Sequence, residues 1–326
     1  MTDEEKSKIL KKDVTPTLYY RLDDYKYSNA SKDRVLSGIR DLDYNTKGFE
    51  MGCITIWTGF TNAGKTTVMT MLAKRTIEQG ERIFFFNGEQ TKEDFKNNLY
   101  IQSVSKNDLE KRMYRNSCIE DTFVKQEKAI LLNKLYGDKI YIYNNEADRK
   151  IESLLYAMDE LRRTQKIRVF FLDNFMQIDM NSDNLFQEQT RIMEKLRTFA
   201  VNRKVHIHLV AHPRKIERFQ TRLTLYDIAG SSNIVNKAYN IISILRVDNV
   251  RQEPKSYEKL QRELLDERYD INEVDTILEI LKTKGERCGL VGLKYDRELK
   301  TYTESPKLTS ERYDKEIHKK GEVLPW

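Results

Sequence analysis

No apolar run in this chain approaches the roughly 18 residues that cross a bilayer as a helix, so no segment of that kind is expected. Cysteine is scarce as well. Cys53, Cys118 and Cys288 lie far apart, with no C-x-x-C pair and no metal-ligand spacing. That excludes a disulfide framework and fits reduced thiols in a cytoplasmic setting. Charge of one sign is missing too: a net +6 is spread over interleaved basic and acidic residues, so a polyanion-binding face and a solvated face fit equally. The opening MTDEEKSK is acidic and polar, unlike a secretory or mitochondrial leader. Repeats and low-complexity tracts are absent.

What is present centres on Met51 to Thr67, MGCITIWTGFTNAGKTT. Cys53 to Thr58 reads as a short apolar strand, Gly59 to Gly64 as a tight loop, and Lys65 onward as a helix start. The loop matches G-x-x-x-x-G-K-[ST] through Gly59, Gly64, Lys65 and Thr66. Glycines let it curl so that backbone N–H groups along Gly59, Thr61, Asn62, Ala63, Gly64, Lys65, Thr66 and Thr67 face phosphate oxygens. The helix behind adds the positive end of its dipole. Lys65 is placed to reach the β- and γ-phosphates, and the Thr66 hydroxyl to take a Mg²⁺ position. The chain is expected to bind a nucleoside triphosphate, with ATP and Mg²⁺ as cofactors.

At 326 residues the chain can bury a sizeable core. It divides into a polar arm over 1–33, a patterned body over 34–303 and a charged tail over 304–326. In the arm, Pro16 breaks any long helix, and Asp3 to Lys12 fits a short charged helix and a disordered segment equally; an arm that docks on a neighbouring subunit is its functional version. In the body, helix one runs from Lys65 to about Gln79, closed by Gly80. Arg82–Phe86, Lys139–Tyr143, Arg168–Leu172 and Val205–Ala211 read as strands, as does the end of DIAGSSNIVNKAYNIISILR. Asp148–Gln165 carries the helical stripe Ile151, Leu154, Leu155, Met158 and Leu161. Residues 91–136 read as two or three helices and 249–275 as a charged excursion. Thr276–Leu281 and Leu290–Tyr295 read as an antiparallel pair around Lys284-Gly285. Alternating strands and helices imply a mainly parallel α/β sheet with its ligands at the carboxyl edge.

The charged singletons fall at that edge. Asp173 ends the apolar run VFFLD, where a carboxylate can hold Mg²⁺ opposite Thr66. Glu89, beside the phosphate loop, can orient and deprotonate an attacking water. His212 ends its strand and can hydrogen-bond a γ-phosphate, whereas His206 and His208, inside that strand, read as structural. Arg214, Lys215, Arg218, Arg222 and the polar stretch Gly230 to Lys237 form a basic connector; phosphate contact and a solvated loop fit it equally. Lys282, Lys284 and Arg287 stand near the C-terminal turn, where an ATPase working at subunit interfaces can deliver a cation in trans.

In this order the pieces resemble the RecA-fold motor domain of hexameric replicative DNA helicases, the DnaB-like and Twinkle-like family that includes phage primase-helicases. The resemblance covers roughly Arg34 to Thr303 and rests on SGIRDLDYNTKGFEMG, GFTNAGKTT, FFFNGEQ, FFLDNF, HLVAHPRK, DIAGSSNIVNKAYNIISILR and LEILKTKGERCGLVGLKYD. It implies a RecA-like P-loop core with an antiparallel C-terminal hairpin. The implied protein is an ATP-dependent 5′→3′ helicase: a homo-oligomeric ring of six, with ATP between neighbours and single-stranded DNA through its channel, in a bacterial or phage-infected cytoplasm. Lys65 and Thr66 then bind phosphate and Mg²⁺, Asp173 is the Walker B carboxylate, Glu89 the catalytic base and His212 the γ-phosphate sensor. The loops after Asp173 and around the connector fall where the family contacts DNA backbone, here Arg214, Lys215, Gly230, Ser231, Ser232, Asn233, Asn236 and Lys237.

Lys282 and Lys284 fall on the family's trans-acting K-x-[RK]. Relatives carry Arg at the second position. Either Arg287 takes the finger role through a longer turn, or Lys284 substitutes with a weaker, non-bidentate contact. Only about thirty residues precede the body, so a motor working with a separate primase or polymerase is expected. A RecA- or KaiC-like ATPase that does not unwind, or a nucleotide-holding ring or loader partner, are the competing readings. The DIAGSSN…ILKTK pairing counts against strand exchange, and the complete Lys65, Glu89 and Asp173 set against an inactive ring.

Overall fold

In the computed structural model, which describes residues 32–115, 118–180, 184–214, 220–228 and 232–310, with the backbone alone at Ser232 and Asn233, the anticipated strands at Ile83–Asn87, Val169–Asp173 and His206–Val210 are dry on both faces, whereas the edge run Ile140–Ile142 is only half-buried. The arm up to residue 31 and the tail from 311, where the docking arm and charged tail are expected, lie outside the described residues.

β1 (Arg34–Val35), α1 (Arg40–Thr46) and β2 (Phe49–Glu50) form a small antiparallel pair around a short helix. β3 (Ile54–Gly59) runs through the phosphate loop into α2 (Lys65–Glu78) and then β4 (Ile83–Asn87). α3 (Lys92–Ile101) starts where the Thr91 side chain accepts the Asp94 N–H. It is followed by β5 (Leu109–Met113), β6 (Glu120–Val124), α4 (Gln126–Tyr136) and β7 (Ile140–Ile142). Next come α5 (Ile151–Thr164), β8 (Val169–Asp173), α6 (Leu185–Arg203) and β9 (His206–Val210). The last part holds α7 (Ser232–Lys237), β10 (Asn240–Arg246), α8 (Val247–Val250) and α9 (Pro254–Asp266). β11 (Thr276–Lys282), β12 (Gly289–Asp296) and β13 (Thr301–Glu304) complete it.

Nine of these strands make one sheet in the order β13-β12-β11-β10-β3-β9-β8-β4-β7. From β10 to β7 the neighbours are parallel; β11, β12 and β13 extend the sheet antiparallel. Side chains alternate between faces. Phe84, Phe86, Phe170 and Leu172 enter a core shared with α5 and α6, while Phe85, Phe171, Trp57 and Val210 enter one shared with α1 and α2. Helices on both faces explain why the strands read as unbroken apolar runs. Among the described residues no helix is long and apolar enough to cross a membrane.

Three segments differ from the sequence reading. Between α3 and α4 stands a hairpin, β5 with β6, rather than a further helix. All its strand residues but Val124 are exposed or half-buried, so LEKRM and EDTFV carry no apolar alternation to announce it. The charged excursion contains α9, which Pro254 starts and which buries Leu260 and Leu264 in a cluster with Tyr269 and Ile277. Finally, the C-terminal pair gains β13, whose Tyr302 is buried.

His206 and His208 are structural, as read. Both are fully buried among Phe49, Trp57 and Phe171. Trp57 Nε1 donates to His208 Nδ1 at 3.2 Å, and His206 Nδ1 lies 2.8 Å from the Glu50 carbonyl oxygen. Burial holds His206 down at about 4 and His208 well below its ordinary value, so both are neutral in the fold. Such groups stabilise fully above the unfolded histidine pKa, near 6.5, and lose that contribution as pH falls toward 4. For His206 the loss between pH 7 and pH 5 amounts to about 2 kcal/mol. Denaturant unfolding of His208→Phe at both pH values should therefore show a smaller acid loss than the parent; equal losses would place the acid sensitivity elsewhere.

Candidate functional site

Strand register brings the chemical residues to one edge of the sheet. Asn87 pairs with Asp173 at the tips of β4 and β8, Leu172 with Leu209 of β9, and Gly59 of β3 with Ile244 of β10. Past β3 the chain turns tightly, with Ala63 N–H donating to the Phe60 carbonyl at 3.1 Å and Val68 N–H to that of Gly64 at 3.0 Å. Gly64 has φ +93°, and a Cβ there would stand 2.3 Å from the Tyr302 hydroxyl. Only glycine fits on both counts.

Lys65 is 7% exposed and bends back over the loop, its Nζ donating to the carbonyls of Gly59 at 3.0 Å and Phe60 at 2.9 Å. Burial lowers its pKa, while Asp173 and Glu89 oppose that shift. Thr66 Oγ1 donates to Asp173 Oδ2 at 2.9 Å. Burial pushes the Asp173 carboxyl up to about 6 against the Thr66 hydrogen bond. A hydroxyl and a buried carboxylate in contact at a phosphate-binding helix start are hard oxygen donors suited to Mg²⁺. Among the described residues there is no larger cluster of acidic or His and Cys ligands.

Glu89 follows β4 and points back at the tips of β8 and β9. Its Oε1 accepts from the Asn174 amide and lies 3.0 Å from His212 Nε2; Asn174 Nδ2 and His212 Nε2 are 2.9 Å apart. Glu89, Asp173 and His212 thus sit together beside Lys65 and Thr66. Asn174 escaped the sequence reading because an Asn after a strand looks like a turn former.

A second feature that reading missed is a cleft of about 170 Å³ next to the loop, lined by Asn62, Gly64, Thr67, Arg246, Tyr295 and Tyr302. An aromatic ring and a guanidinium flanking a phosphate loop suit a nucleobase, by stacking and cation–π contact. Its signal was in the sequence: Arg246 ends NIISILR at a strand tip, as Asp173 ends VFFLD.

Lys282, Lys284 and Arg287 are elsewhere. β11 runs antiparallel, so Thr276 pairs with Arg246 near the loop while Lys282 pairs with Ile241 at the opposite edge, roughly 20 Å away. Their turn is clamped on α1: Glu286 N–H donates to the Asn45 carbonyl at 2.7 Å, and a Cβ on Gly285 would meet Thr46 backbone at 2.5 Å. Lys282 Nζ donates to the carbonyls of Val235 at 2.7 Å and Asn236 at 3.2 Å, capping the end of α7. Arg287 is held in a bidentate pair with Glu267, at 3.1 and 2.7 Å. Lys284 Nζ lies 5.8 Å from the Tyr239 ring centroid.

Of the connector, Lys215, Arg218, Gly230 and Ser231 lie outside the described residues, and Ser232 and Asn233 are placed by backbone only, in α7. Arg214 and Asn236 are exposed. Lys237 Nζ donates to Glu194 at 3.0 Å. Arg222 is not part of a basic surface: it is half-buried and paired with Glu279 and Glu263, so charge counting misplaced it.

A family model for the DnaB-like helicase C-terminal domain matches residues 35–304. The chain is 22% identical over 293 residues to the Twinkle homolog protein, chloroplastic/mitochondrial, of Arabidopsis thaliana, covering 86% of this chain and 38% of that relative. It therefore spans well under half of that relative's length. Among solved structures it is similar to a DnaB-like replicative helicase described with its interactions with primase (TM-score 0.68, 16% identity, 92% of this chain and 70% of the other). It is also similar to a second solved structure, that of an ATPase domain (TM-score 0.66, 16% identity, 94% of this chain and 98% of the other). These likenesses show the fold, a RecA-like α/β core with antiparallel C-terminal strands. Matched by the family model over the greater part of its length, the chain belongs to the DnaB-like helicase C-terminal domain family.

Proposed function

We propose that the chain is the ATP-hydrolysing motor of a ring-shaped replicative helicase that moves along single-stranded DNA and separates duplex, 5′→3′ by family likeness. One observation supports this most: the phosphate-side groups and the Lys284 turn stand at opposite edges of one sheet, about 20 Å apart. A subunit with both, each out of reach of the other, is completed by a second copy, and head-to-tail repetition of that contact closes a ring. Six is the number the family suggests.

In this reading the loop amides from Thr61 to Thr67 cradle the phosphates, and Lys65 leaves the Gly59 and Phe60 carbonyls for the β- and γ-phosphates. Thr66 and Asp173 hold Mg²⁺, which neutralises charge on the phosphate oxygens. Arg246 and Tyr295 flank the nucleobase. Glu89 orients the attacking water and takes its proton as the water oxygen bonds to the γ-phosphorus and the bond to the β-phosphate oxygen breaks. His212 contacts the γ-phosphate. Of the three cations in the C-terminal turn, Lys284 serves in trans, because Arg287 and Lys282 already have oxygen partners within the chain. Arg214, Lys215 and the stretch Gly230 to Lys237 contact DNA backbone. A primase is a fitting separate partner, as for the similar helicase.

Glu89→Gln should bind ATP normally and lose turnover by about 10²-fold or more, together with unwinding of a forked substrate. Retained hydrolysis would move the general base elsewhere, and DNA-stimulated hydrolysis by the parent without strand separation would favour a non-unwinding assembly ATPase. Lys284→Ala should be inactive alone yet regain hydrolysis when mixed with Glu89→Gln, since mixed interfaces unite one intact half from each; Arg287→Ala should keep turnover. No recovery on mixing would remove Lys284 from the neighbour's site. Tyr295→Ala should raise KM for ATP with little change in kcat, the mark of binding energy shared by ground and transition states; an unchanged KM would move the nucleobase out of this cleft.

A further inference from the structure

Asn174 is buried at the tip of β8 and its amide faces in two directions. Oδ1 accepts the Met176 N–H at 2.9 Å and so starts the short 3₁₀ turn Phe175–Gln177, the root of the connection that follows β8. Nδ2 donates to Glu89 Oε1 and lies 2.9 Å from His212 Nε2, which is itself 3.0 Å from that same oxygen. His212 in turn begins the connection after β9. A single side chain therefore joins the roots of both connections to the carboxylate proposed as the base. Glu89 is otherwise lightly held, with its side chain 40% exposed.

We propose that Asn174 is a positioning residue that keeps Glu89 turned toward β8 and β9, away from an in-line water, until single-stranded DNA displaces the Phe175–Gln177 turn. The inference rests on the reading of Glu89 as the base. Once His212 is drawn to a γ-phosphate, Asn174 alone restrains the carboxylate. Movement of the Phe175–Gln177 turn then carries the amide with it through the Oδ1 bond, and Glu89 swings to the water. Sub-ångström placement of such a group governs rate steeply, with a 1 Å error costing on the order of 10²-fold.

The test is ATP hydrolysis by the full chain with and without single-stranded DNA, in Asn174→Ala and Asn174→Ser. Ser keeps an oxygen able to accept the Met176 N–H, as Ser does at helix starts, but is too short to reach Glu89, so it serves if Ala fails to fold. Both variants should raise DNA-independent kcat several-fold and bring the DNA-stimulated to basal ratio toward one, with KM for ATP unchanged. An unaltered ratio in the Ser variant overturns the proposal, as does a fall in kcat with a rise in KM, which a merely supporting role would produce. Glu89→Gln run alongside separates the two failures. If it retains turnover, the base reading falls and takes this inference with it; if it is inactive while the Ser ratio is unaltered, this inference alone falls.

Discussion

The pairing Asn87↔Asp173 aligns the tips of β4 and β8, and directly behind it Phe85, Phe86, Phe171 and Leu172 are buried without exposure. A parallel strand covered by helices on both faces has nowhere to put an ionic group except its end. Glu89, Asp173 and His212 are gathered at one edge by that dryness, without a dedicated scaffold. The same dryness raises the Asp173 carboxyl to about 6. A carboxylate that costs energy to ionise in place is improved by any cation that reaches it, so burial prepares the proposed metal position as much as the residue does.

β11 runs against its neighbours, and this one reversal separates the two halves of the proposed site. Had it run parallel, the Lys282–Arg287 turn would stand beside the phosphate loop. Instead it sits at the far edge, clamped on the end of α1 by Asn45 and by the close approach at Gly285. α1 lies in the lead-in to β3, so the segment before the phosphate loop fixes the turn proposed to serve the neighbouring loop.

The phosphate loop was legible because its spacing is its chemistry: Gly64, Lys65 and Thr66 act through positions set within one turn of chain. The apolar runs were legible because burial on both faces leaves an unbroken signal. Asn174 was not, because its meaning depends on Glu89, 85 residues away. Arg222 was misjudged for the same reason: its partners Glu263 and Glu279 lie 41 and 57 residues on. The β5–β6 hairpin escaped because it buries too little to impose a period of two. Chain-local rules fail where a residue is defined by a contact that only the fold creates.

The isolated subunit meets its own polar demands with the same atoms that the ligands would use. Lys65 sits on the Gly59 and Phe60 carbonyls, and Thr66 on Asp173. An ammonium as buried as Lys65 cannot be left bare, since an unpaired buried charge is far more costly than a paired one. Loop carbonyls are the partners within reach, and the phosphate oxygens of the proposed nucleotide would outcompete them by carrying full charge. At the other edge Lys282 is also fully partnered within the chain: its hold on the Val235 and Asn236 carbonyls ties β11 to the end of α7. The strand that leads to Lys284, the proposed interface cation, is thereby anchored on the proposed DNA-contacting helix, so a shift of either is felt by the other.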